Sequence, residues 1–185
     1  DMEDNIVTGR AEATYTGGRV DILSGKIFER NDNELLRNQK QEEKAIEALK
    51  VYLPYDDKQN FLSAETEEEL YELKVSGIDK LNKYGKVLGS EAFNNIRVYK
   101  KPAAGVGVSV NSNLLQLEFL SDDMSAEELA NIVTSYRKKK KYYRLKSGAF
   151  INMDSEYMKN FNEMLNVLEI SPKDLRTGAL TVPLY

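Results

Sequence analysis

Polar and apolar positions alternate near the start of the chain. Val7, Gly9, Ala11, Ala13 and Tyr15 fall on one side of an extended strand, and Thr8, Arg10, Glu12, Thr14 and Thr16 on the other. Gly17-Gly18 permits the positive φ of a tight turn into Arg19-Val20-Asp21-Ile22-Leu23, which predicts a β-hairpin. The period then changes. Asn31 or Asp32 can cap a helix running to about Tyr52, ahead of Pro54, with a polar middle at Asn38 to Lys44 and an apolar stripe at Ile46, Leu49 and Leu53. A short strand is expected at Asn60-Phe61-Leu62. Thr66-x-x-Glu69 is a capping box, opening a helix through Leu70, Leu73, Gly77 and Leu81 to about Gly85. Lys86-Val87-Leu88 reads as a strand behind it.

Further strands are expected at Ile96–Lys100, Gly105–Val110 and Leu114–Leu120, separated by Pro102 and by Asn111-Ser112. Ser125-x-x-Glu128 is a second capping box, and its helix carries Leu129, Ile132, Val133 and Tyr136 on one face. Tyr142–Lys146, the turn Ser147-Gly148 and Ala149–Met153 form a second hairpin. A last helix from about Ser155 to Glu169 presents Met158, Phe161, Leu165 and Leu168. Ser171-Pro172 is expected to be a turn, with a short strand near Leu180–Val182. The pattern gives an α+β fold, with antiparallel or mixed sheets built from hairpins and about four amphipathic helices packed on them. It reads as one piece over 1–185, with a subdivision at 1–90 and 91–185 compatible with the element order.

Composition narrows the chemistry. Neither cysteine nor histidine occurs, which removes disulfides, thiolate metal sites, thiol nucleophiles and every histidine-based triad. No apolar run approaches the roughly 18 residues that span a bilayer. Asp1-Met2-Glu3-Asp4 lacks the basic and apolar regions of a signal peptide, so a cytoplasmic location without membrane contact is the expectation. The chain carries 26 basic and 30 acidic residues. Seven of the basic ones lie between Arg137 and Lys146 with no acidic residue among them, leaving the remainder at a net −11.

Several catalytic spacings fail on inspection. Ser24-Gly25-Lys26 approaches a phosphate-binding loop, but Ile27 stands where the hydroxyl belongs and Val20 where the first glycine belongs. Gly105-Val106-Gly107 begins like a dinucleotide fingerprint and continues as a strand, so small residues packing within a sheet explain it better. Tyr136 and Lys140 have a Tyr-x-x-x-Lys spacing without the glycine-rich strand–turn–helix that such catalysis needs. Asp56-Asp57 and Asp122-Asp123 belong to no calcium loop, and the second pair precedes a helix N-terminus, where negative charge is favoured anyway.

The basic segment is different. Its first part ends a helix, where cations suit exposed carbonyls. Its second part alternates, which puts Tyr143 and Leu145 in the core. Arg137, Lys138, Lys139, Lys140, Lys141, Tyr142, Arg144 and Lys146 then form a basic face bearing an exposed aromatic. Such a face can neutralise phosphates of double-stranded DNA and stack a base or sugar, without reading sequence.

The string Tyr136-Arg137-Lys138-Lys139-Lys140-Lys141-Tyr142-Tyr143-Arg144-Leu145-Lys146-Ser147-Gly148-Ala149-Phe150, followed by an amphipathic helix, resembles the bacterial SNF2 helicase-associated region. That region lies N-terminal to the ATPase motor of bacterial SWI/SNF-type proteins. Gly105-Val106-Gly107-Val108-Ser109-Val110, Leu115-Gln116-Leu117-Glu118-Phe119 and Met124-Ser125-Ala126-Glu127-Glu128-Leu129 precede it in the matching order. The opening hairpin is similar to the start of that region. The specific part is Leu114 to Phe150, and Val182-Pro183-Leu184-Tyr185 looks like a point where the family continues, so an excised piece is expected.

The resemblance implies a non-catalytic accessory domain of a SNF2-family DNA-dependent ATPase or translocase, nucleoid-associated, with the motor in the same chain as its partner. ATP and Mg would belong to that motor. No cofactor is expected in this fragment, and the family's zinc-binding SWIM segment lies outside it. No Walker motif is present here, so no ATPase residue is carried over. The alternative is a scaffold that docks on the motor or on a transcription or repair protein without touching DNA. An enzyme with an unusual Asp/Glu/Lys/Tyr site would need a deep pocket of carboxylates with shifted pKa values.

Overall fold

The alternating opening of the chain is shared between two sheets rather than carried through as one strand. The computed structural model describes residues 2–3, 6–56, 61–101, 105–111, 114–120 and 124–183. Its backbone divides into two units, Asp1–Ile96 and Arg97–Tyr185, each mixing helices with sheets, and the fold is α+β. Among the described residues no helix is long and apolar enough to cross a membrane.

In the first unit β1 (Met2–Glu3), β2 (Ile6–Gly9), β3 (Glu12–Tyr15), β4 (Gly18–Asp21) and β5 (Ile27–Arg30) precede α1 (Gln39–Tyr52). Then come β6 (Tyr55–Asp56), β7 (Phe61–Ala64), α2 (Glu67–Glu72), a π-helical turn Leu73–Gly77, α3 (Ile78–Leu81) and α4 (Glu91–Asn95). The sheets have strand orders β1-β2-β7-β6 and β3-β4-β5, all pairs antiparallel. The first hairpin forms, but its turn lies one residue early, at Thr16-Gly17. Gly18 opens β4 with φ +150°, and a Cβ there would stand 2.1 Å from the Glu29 carbonyl oxygen. Glycine is what lets β5 close onto β4. That third strand escapes the hydrophobic pattern because all four of its residues are exposed.

The first helix starts at Gln39, not at Asn31 or Asp32. Asn31 is occupied by a turn, its amide donating to the Thr16 carbonyl at 2.8 Å and its Oδ1 accepting from the Asn33 amide at 2.9 Å. Asn38 is the cap, accepting from the Gln41 amide. The polar stretch conceals a buried carboxylate. Glu42 accepts from the Tyr15 hydroxyl at 2.5 Å and from Arg37 Nε at 3.1 Å, with Arg37 Nη2 as a third donor, which ties α1 to β3. The Arg37 guanidinium holds this carboxyl below the usual glutamate range, and burial pushes the Tyr15 phenol up.

The Thr66/Glu69 capping box forms in both directions, and Leu70, Leu73, Gly77 and Leu81 are buried as the stripe requires. A Cβ on Gly77 would come within 3.0 Å of the Tyr52 ring, so this glycine sets the approach of α1 to the π turn. Lys86-Val87-Leu88 forms no strand. It runs as coil into the Ser90 cap of α4, with Leu88 79% exposed, so apolar character here does not signal pairing.

The second unit runs β8 (Val98–Tyr99), β9 (Gly105–Asn111), β10 (Leu114–Leu120), α5 (Ala126–Arg137), β11 (Tyr142–Arg144), β12 (Phe150–Asn152), α6 (Glu156–Val167), α7 (Pro172–Leu175) and β13 (Ala179–Pro183). One sheet is β13-β10-β9 and antiparallel; the other is β11-β12-β8, in which β12 and β8 are parallel. Helix α5 serves two clusters. Leu129, Ala130 and Val133 pack with Phe161, Leu165, Ile170 and Leu175, while Ile132 packs with Ile151, Met153 and Met158. Ser171-Pro172 is a helix start rather than a plain turn. Ser171 caps α7 reciprocally with Asp174, and proline at the first helical position sacrifices no hydrogen bond.

Candidate nucleic-acid interface

Helix α5 delivers the basic segment and then stops abruptly. The Lys139 amide donates to the Tyr136 carbonyl at 2.8 Å and the Lys140 amide to the Ser135 carbonyl at 3.1 Å. Those two bonds are a Schellman motif, which closes the helix end on its own carbonyls. Its left-handed position is Lys139, at φ 57°, where glycine is usual. A side chain in that conformation crowds the following carbonyl at a cost of about 1 kcal/mol. Lys138, Lys139, Lys140 and Lys141 are all exposed, on a loop rather than along a helix face.

The chain then enters the β11–β12 hairpin. The Gly148 amide closes a turn onto the Leu145 carbonyl at 2.9 Å, and Gly148 itself takes φ 86°. Tyr143 and Leu145 are half-buried against the Ile132–Ile151–Met153–Met158 cluster, as the alternation predicts. Tyr142 is not the exposed aromatic expected on the other face. The register pairs Arg144 with Phe150, so Tyr142 and Arg144 share that ring's side of the sheet. Phe150 is fully buried, with the Tyr142 ring edge-on at 5.4 Å and the Arg144 guanidinium 5.3 Å from its centroid. Tyr142 is half-buried and its ring is packed on a neighbour, so it offers no open stacking platform.

Both ends of the segment are pinned. Arg137 donates from Nε to Asn162 at 3.0 Å, and from Nη2 to Asn166 at 2.9 Å and to the Ile170 carbonyl at 3.3 Å. It fastens the end of α5 to the end of α6. At the other end, Ser125 Oγ caps the Glu128 amide, and the buried Glu128 carboxylate accepts the Lys146 amide at 2.9 Å. Midway, the Met153 amide donates to the Lys141 carbonyl at 3.0 Å. Among the described residues, Lys138, Lys139, Lys140 and Lys146 place no side-chain hydrogen bond or ion pair on a neighbour.

Arg137 thus differs from the lysines beside it. Sequence reasoning missed its anchors Asn162 and Asn166, although their four-residue spacing on one face of α6 was open to view. It also missed the reach of Glu128, because a capping-box glutamate is ordinarily expected to bond back to its own cap.

Other candidate chemistry stays apart from this segment. Ser24-Gly25-Lys26 lies in the loop joining antiparallel strands β4 and β5, where Asp21 accepts the Leu23 and Ser24 amides. Tyr136 packs against the Ile132 cluster, whereas Lys140 is exposed, so that pair does not converge. Gly105–Asn111 is a strand throughout. Asp57, Asp122 and Asp123 lie outside the described residues, and among those described no acidic cluster could hold a metal. Among the described residues, an open recess beside Arg137 is lined by Asn166, Glu169, Ile170 and Ser171.

No curated protein matches the chain, and no solved structure does. The family model described as bacterial SNF2 helicase associated does match, over residues 1–185 and so over every element described above. The chain therefore belongs to the bacterial SNF2 helicase-associated family.

Proposed function

We propose that this accessory domain of SNF2 helicases binds the phosphate backbone of duplex DNA through Lys138, Lys139, Lys140, Lys141, Arg144 and Lys146, and so positions the duplex for the ATPase motor. It performs no chemistry itself. The observation that carries this reading is an exposed run of four lysines on a backbone fastened at both ends, by Arg137 to α6 and by Glu128 to the hairpin turn. A loop already ordered loses little freedom on binding. Lysine heads are mobile point charges, so they suit phosphates and leave bases unread. The acidic remainder of the chain favours a contact confined to this one stripe.

A salt titration of duplex binding tests it. Five or so phosphate contacts predict that log affinity falls against log salt with a slope of about −4.5, the same for unrelated sequences. A slope near zero, or no binding at low salt, rejects the proposal.

A further inference from the structure

We infer that Lys139 is a dedicated phosphate-binding side chain, kept in a left-handed backbone conformation at a cost to fold stability. This rests on the DNA-backbone reading above and assigns one position within it. Lys139 sits at φ 57°, the position that closes the Schellman motif of α5. Glycine meets that need without strain, and a residue with a Cβ does not. A favourable cation at the helix end does not explain the choice. Arg137, Lys138, Lys140 and Lys141 already place positive charge within the same turn. Nor can the backbone take the anion here, because the amides of Lys138, Lys139 and Lys140 donate to the carbonyls of Thr134, Tyr136 and Ser135. What a lysine adds at this position is its exposed ammonium, which bonds to nothing else among the described residues. Glu169 carries the same strain, so what singles out Lys139 is an outlying backbone conformation together with an exposed ammonium inside the basic run.

The chain supplies its own comparison. Glu169 closes the Schellman motif of α6 in the same conformation, at φ 55°, with the opposite charge. Removing each side chain therefore relieves like strain, but only one removal costs a phosphate contact.

The experiment pairs thermal melting with duplex binding in a salt series, for the 185-residue chain and four variants. Lys139→Gly is expected to raise the thermal midpoint by about 2–4 °C. It should also lower the salt slope by about one and weaken binding roughly eightfold near 0.1 M salt, the share of a single contact. Lys139→Arg keeps the wild-type midpoint and slope. Glu169→Gly raises the midpoint without weakening binding. Lys140→Ala loses affinity with no gain in stability. If Lys139→Gly is stabilised while its binding and slope stay at wild-type values, the inference fails and the DNA reading stands. If Lys139→Gly gains no stability, the strain argument fails. Absence of duplex binding by the wild-type chain overturns both.

Discussion

Replacing Lys138, Lys139, Lys140 and Lys141 together by glutamate is expected to abolish measurable duplex binding near 0.1 M salt while leaving the chain folded. Each phosphate contact contributes a slope of about 0.9, so each is worth roughly eightfold near 0.1 M salt, and four are worth three to four orders of magnitude. Non-specific binding usually starts near micromolar to 0.1 mM, so a loss of that size passes the detection limit. Reversal adds repulsion from the phosphates to the lost attraction. The fold should survive because all four side chains are exposed, and the bonds that end α5 are made by backbone amides. Four anions at a helix C-terminus would lower stability by about 0.3–1 kcal/mol each at most. A melting curve confirms the folded state before binding is measured. The matched Lys→Gln set removes the charges without that penalty and should also bind weakly. Unchanged affinity in either set would place the DNA contact elsewhere or nowhere.

The second large effect is on stability. Ile132→Ala should destabilise the second unit by about 2–5 kcal/mol, against about 0.5–1.5 for Ile132→Val. Ile132 is fully buried and joins α5 to Ile151 and Met153 around β12 and to Met158 on α6. Truncation leaves a cavity at the joint that holds the basic hairpin against its helix. Total stability is typically about 5–15 kcal/mol, so the loss is a sizeable fraction. Denaturant unfolding measures it. The affinity of the fraction that remains folded should hardly change, because Ile132 is fully buried whereas the loop lysines are exposed. A shift below about 0.5 kcal/mol for Ile132→Ala would mean that this cluster is not a packed core.

The caps, the second hairpin and the two long helices of the second unit were legible because each has a strong local cause. Ser125 and Thr66 accept the amides that their positions predict, the last helix starts after Ser155 as expected, and Gly148 takes the positive φ its turn needs. Elements without such a cause were not. The strand Ile27–Arg30 is exposed at every residue, so no alternation marks it. Asn31 looks like a cap, but the Thr16 carbonyl and the Asn33 amide claim it, and only the folded hairpin reveals that competition. Val87 and Leu88 are apolar residues left in a connecting coil.

The site divides along the same line. Charge density at Arg137–Lys146 is a property of sequence and was visible at once. Three features depend on residues far away in the chain or on backbone dihedrals. They are the capture of Arg137 by Asn162 and Asn166, the packing of Tyr142 on Phe150, and the left-handed Lys139. Glycine is the usual residue at a left-handed helix end, so nothing within the lysine run marks that position.

The most direct test of the account is an amide-shift titration of the isotope-labelled chain with a short duplex. At low salt, shifts are expected to concentrate at residues 138–146, fading together as salt is raised and indifferent to DNA sequence. Shifts centred on another surface, or none at DNA concentrations that saturate a non-specific site, would contradict it.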